Sequence, residues 1–171
     1  MAISFTVTET KMSPLWDFGW FDLTRFAVEG PTRERQECQL VLRQFLRDPI
    51  SQRSFCDRGP WGEPVQRHGP FLCKKLDVEW FQPTDSKGLA ERVDAALSDP
   101  SFSKVPSNEQ RRPVEEWVDR VKVRGDSAFV LQTPNAPDSR VDWAFVWVVY
   151  HEFICLNAEG DELTVAVIGY D

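Results

Sequence analysis

Residues 141–170 constrain the fold more than any other part of the chain. They read VDWAFVWVVYHEFICLN, then AEGDE, then LTVAVIGY. Two apolar runs rich in Val, Trp, Phe, Tyr and Ile, separated by a short polar gap containing a glycine, predict a β-hairpin. In the first run the odd positions are Trp143, Phe145, Trp147, Val149, His151, Phe153 and Cys155. The even positions are Ala144, Val146, Val148, Tyr150, Glu152, Ile154 and Leu156. Successive strand residues face opposite ways, and both sets are mostly apolar, so this is a central strand covered on both sides.

The rest of the chain supplies the cover. Ile3, Phe5 and Val7 alternate with Ser4, Thr6 and Thr8, which predicts a half-buried strand broken at Met12-Ser13-Pro14. A second strand is expected in the block LWDFGWFDLTRFAV, with Trp16, Phe18 and Trp20 on one face and Gly19 marking a bulge or a close approach. Thr32 is placed to cap a helix running to about Arg47, whose buried stripe is Cys38, Val41, Leu42, Phe45 and Leu46. Residues 50–70 carry turn signals and no periodicity, and 71–82 alternate like another strand. Ser86 is read as the cap of a second helix, with Leu89, Val93, Ala96 and Leu97 inward. Ser107 and Gln110 have capping-box spacing ahead of a third helix with the stripe Val114, Trp117, Val118 and Val121; alternatively Pro113 marks its first turn. Residues 126–133 form a short strand before the hairpin. The order β-β-α-loop-β-α-α-β-β-β predicts an α+β fold: one domain over residues 1–171, a mostly antiparallel sheet organised on the C-terminal hairpin, and about three helices packed on it.

Charge bears on function. Of 27 acids in a chain of net charge −7, six (Asp142, Glu152, Glu159, Asp161, Glu162 and Asp171) lie from residue 141 onward, with no Lys or Arg among them. The first 140 residues are almost neutral, with 21 acids against 20 bases. An acidic hairpin repels phosphate backbones and attracts a basic protein. Its structural alternative is protection of a strand end against aggregation. No apolar window is long enough to span a membrane, no basic-then-apolar leader opens the chain, and the four cysteines are irregularly spaced, so a cytosolic protein with reduced thiols is expected.

Chemistry-bearing residues are few. His68 and His151 are the only histidines. His151 and Glu152 are adjacent on a strand and cannot act together. Cys56, Asp57, His68 and Cys73 could converge through the irregular loop as a metal site or a thiol–imidazole pair, but the tight ligand pairs of zinc sites are absent. The bases Arg111, Arg112, Arg120, Lys122 and Arg124 are interleaved with acids and read as a solvated helix face.

The first expectation is therefore a non-enzymatic, acidic binding protein of the bacterial cytosol, without cofactor or metal, that occludes a basic partner as a toxin-neutralising immunity protein does. Asp142, Glu159, Asp161 and Glu162 would supply the charge and Trp61 an anchor. The second expectation is a small-ligand protein or enzyme using His68 or His151 with a nearby Cys, Asp or Glu. The third is a homodimer whose second copy covers the outer apolar face of the hairpin.

Overall fold

A computed structural model describes residues 3–16, 18–30, 38–51, 67–102, 104–132, 139–140 and 149–170. Six strands form one antiparallel sheet: β1 (Ser4–Trp16), β2 (Gly19–Glu29), β5 (Phe81–Thr84), β6 (Ser127–Leu131), β7 (Val149–Leu156) and β8 (Glu162–Tyr170). Their spatial order is β1-β2-β8-β7-β6-β5, so the C-terminal hairpin is central, as its two apolar faces require. A two-stranded ribbon of β3 (Arg67–His68) and β4 (Phe71–Leu72) lies apart from this sheet.

Each sheet face has its own core. On one, helix α1 (Cys38–Arg47) sets Val41, Leu42, Phe45 and Leu46 against Tyr150, Ile154 and Leu156 of β7. On the other, α2 (Ser86–Leu97) and α3 (Asn108–Arg124) set Leu89, Val93, Val114 and Trp117 against Phe153 and Cys155. Helices of the same chain thus lie against both faces of β7. No helix among the described residues is long and apolar enough to cross a membrane.

The helix ends follow local chemistry. Ser107 and Gln110 form the expected capping box, and Pro113 lies inside α3 rather than at its start. The cap of α2 is Asp85, not Ser86: its carboxylate accepts from the Gly88 N–H at 2.7 Å. The Thr32 cap lies outside the described residues.

Three strand expectations are corrected. β1 does not stop at Met12-Ser13-Pro14 but continues to Trp16, with register irregularities between Val7 and Glu9 and between Pro14 and Trp16. It is an edge strand, where a proline has no second ladder to disrupt. Trp16, Phe18 and Trp20 do not share a face of one strand, because the chain turns between Trp16 and Gly19, leaving Trp16 buried and Phe18 exposed. The expected close approach is real: a Cβ on Gly19 would lie 2.2 Å from the Trp16 indole. Finally, 71–82 is not one strand. Two 3-10 turns, Cys73–Lys75 and Val78–Trp80, interrupt it, and Asp77 accepts from the Glu79 N–H at 3.0 Å. A short acidic side chain that bonds its own backbone competes with a ladder.

Candidate functional site

Glu152 is the one charged side chain of β7 that points toward α1, and it is fully buried. A carboxylate in that position needs partners that satisfy both oxygens. Oε1 lies 2.5 Å from Nε2 of His68, and Oε2 accepts the Tyr150 hydroxyl at 2.8 Å. On the far side of the ring, Nδ1 of His68 lies 2.8 Å from the Ser51 carbonyl, which can only accept, so Nδ1 carries a hydrogen. This network ties the ribbon and the 3-10 turn Pro49–Ser51 to the central strand. Gly69 makes the approach feasible: its φ is +52°, and a Cβ there would lie 2.3 Å from the Tyr150 hydroxyl.

Two more buried charges complete the cluster. Asp22 of β2 accepts from Thr24 Oγ1 at 3.1 Å, and Arg67 precedes His68. Asp22 and Glu152 share one row across the sheet, because both are the register partners of Val167. Burial alone would lower the basicity of His68. The Glu152 charge and hydrogen bond and the Ser51 carbonyl outweigh it and hold the imidazole above its ordinary 6.5. Burial pushes the Tyr150 phenol well above 10, helped by Glu152 and Asp22 and opposed by Arg67. Two acids thus face two bases, and a neutral phenol donates to the shared carboxylate.

Chemically, this arrangement is closed. Both ring nitrogens of His68 and both oxygens of Glu152 have partners inside the protein, and both side chains are buried away from the surface. Cys73 does not join His68; burial pushes its thiol up to about 11, leaving it protonated near neutral pH. Among the described residues, no group of three or more His, Cys, Asp or Glu side chains could hold a metal ion. Cys56 and Asp57 lie outside the described residues.

The other histidine is different. His151 points to the α2/α3 face, and its Nε2 lies 3.2 Å from Asp99 Oδ2 at the rim. Asp99 also accepts from the Ser101 N–H at 2.8 Å. Despite some burial, the bonds to Ser101 and His151 hold its carboxyl below the usual range.

Of the residues expected to meet a partner, Glu159 and Asp161 are exposed in the β7–β8 turn. Glu162 is half-buried and accepts from Arg124 Nη1 at 2.7 Å. Asp142 and Trp61 lie outside the described residues. Glu152, though counted in the hairpin charge, is internal and adds nothing to a surface patch.

Sequence reasoning missed the His68–Glu152–Tyr150 network. A signal existed: Glu152 interrupts an otherwise apolar even face, and an unpaired charge there would be untenable. The chain matches no protein-family model, and no curated protein or solved structure is significantly similar to it.

Proposed function

We propose that this chain is a non-enzymatic binding protein that meets a basic partner with its β7–β8 turn, in the manner of an immunity protein covering a toxin domain in the bacterial cytosol. The observation that carries the reading is a preorganised acidic corner. Asn157 Oδ1 accepts from the Asp161 and Glu162 N–H groups at 3.0 and 2.9 Å, and its amide donates to the Asp161 carboxylate at 2.6 Å. Glu159 and Asp161 are therefore displayed on a stiff turn, which reduces the ordering cost of binding.

Beside the turn, Arg124 is held between Asp126 at 3.3 Å and Glu162 at 2.7 Å. Burial raises the Asp126 carboxyl, Arg124 draws it down, and Glu162 and Glu159 push it up again. One guanidinium thus serves three carboxylates, Asp126, Glu159 and Glu162, and the excess negative charge favours an incoming Lys or Arg. The closed state of the His68 network supports the non-enzymatic half of the reading.

The test compares wild type with the double variant Glu159→Lys, Asp161→Lys as bait in host lysate at about 50 mM and about 500 mM salt. A basic protein held by wild type at low salt should be weakened at high salt. The variant should associate with it at least roughly tenfold more slowly, with a flatter salt dependence. Unchanged association by the variant would sink the electrostatic reading.

A further inference from the structure

A cavity of about 380 Å³ lies between α1 and the chain that follows β4. Arg43 and Arg47, one helical turn apart on α1, reach it from one side, and Lys74 reaches it from the other. All three are exposed and make no ion pair or hydrogen bond among the described residues. Three bases on α3 behave otherwise: Arg111 pairs with Asp94 and Glu115, Arg112 with Glu116, and Arg124 with Asp126 and Glu162. In a chain of net charge −7, three cations gathered without an ion pair among the described residues repel one another and leave their donors to solvent.

The one acid in the cavity wall, Asp77, offsets only one of the three positive charges. Asp77 is engaged with the Glu79 N–H at 3.0 Å. Burial keeps the Cys73 thiol protonated, so it adds no negative charge at neutral pH. Leu46, Leu76 and Val78 line the cavity as well, and all three pack on the α1-side core. The volume falls in the range of about 300–1,000 Å³ typical of small-molecule sites.

We infer that this cavity binds a small organic phosphate, its phosphate held by Arg43, Arg47 and Lys74 and its carbon skeleton laid on Leu46, Leu76 and Val78. Guanidinium groups match phosphate oxygens in bidentate geometry, and Lys74 adds a point charge. The apolar wall is what distinguishes such a ligand from a bare anion. This site is independent of the acidic turn and of the partner proposed to meet it.

Calorimetry on the full chain with phenyl phosphate, inorganic phosphate and a phosphoserine peptide tests the assignment. Phenyl phosphate should bind saturably at one equivalent, roughly tenfold or more tighter than inorganic phosphate, since the ring adds apolar burial. Arg43→Gln and Arg47→Gln should each weaken it roughly tenfold, as loss of a charge-assisted contact does. Both arginines are exposed, so the unfolding midpoint should stay within error of wild type and exclude misfolding. No saturable binding of phenyl phosphate, or equal binding by the double variant, overturns the proposal. Equal affinity for inorganic phosphate overturns it in favour of a plain anion site, and tighter binding of the peptide overturns it in favour of a protein ligand.

Discussion

His151 and Glu152 are neighbours on β7, yet each joins a histidine–carboxylate pair on a different face of the sheet. His151 meets Asp99 at the edge of the α2/α3 face, with side chains 36% and 22% exposed. Glu152 meets His68 beneath α1, with side chains 0% and 3% exposed. The same two chemical groups therefore serve opposite purposes. At the rim, both side chains are partly open to solvent, and the pair adds little beyond local order. Under α1, both side chains are buried, so each member depends on the other. The dry α2/α3 core is held by shape and apolar area, whereas the α1 core is held partly by a polar lock joining segments 84 residues apart.

Breaking that lock tests the contrast most severely. Glu152→Ala leaves His68 Nε2 and the Tyr150 hydroxyl buried without their shared acceptor and should cost about 3–5 kcal/mol in urea unfolding. Replacing the network whole, as His68→Leu with Tyr150→Phe and Glu152→Leu, should recover most of that loss, because no charge is then stranded and only the Ser51 carbonyl loses a donor. A triple variant as unstable as the single one would mean that the site contributes packing rather than charge pairing. The pair also sets a pH sign. Because the folded imidazole titrates above 6.5, its contribution is complete below that value and is lost as pH rises through the raised one. Wild-type stability should fall as pH rises above 6.5, and the triple variant should show a flatter profile.

The difference between the faces also explains what was legible in the sequence. The α2/α3 face is written in local code: the Ser107–Gln110 box and the stripes Leu89-Val93-Ala96 and Val114-Trp117-Val121 each lie within a few turns. Central placement of the hairpin followed from the apolarity of both its faces. By contrast, His68 sits on a two-residue strand after an aperiodic stretch, and nothing in its vicinity identifies Glu152 as its partner. Pro14 and the Leu76-Val78-Trp80 alternation misled for a related reason. Whether a proline is tolerated, or an alternation becomes a strand, depends on what lies alongside it in space. The acidic turn was readable as charge, but its stiffness rests on Asn157, whose side chain reaches across to Asp161 and Glu162.

Two glycines with left-handed backbones sharpen the comparison at smaller scale. Gly160, with φ +76°, has nothing within 4 Å of a built Cβ, whereas Gly69, with φ +52°, faces the Tyr150 hydroxyl at 2.3 Å. Gly160→Ala should therefore cost only the backbone term, about 1–2 kcal/mol. Gly69→Ala adds overpacking of about 1–3 kcal/mol, because Tyr150 must leave the Glu152 carboxylate. Thermal unfolding of the two variants separates these terms, and equal losses would show that the lock yields without strain.

The smallest effect belongs to the rim pair. His151→Ala should change stability by less than about 1 kcal/mol, since solvent competes for both partners of this partly exposed contact. Asp99 keeps its bond from the Ser101 N–H when the imidazole is gone, so it is not left without a donor. A double-mutant cycle of His151→Ala with Asp99→Asn isolates the pair, and its coupling should lie near the bottom of the roughly 0.5–3 kcal/mol seen for contacting residues. The same cycle on His68 and Glu152 should reach the top of that range. Similar coupling energies in the two cycles would mean that burial does not govern these interactions, and the contrast between the faces would reduce to one of shape.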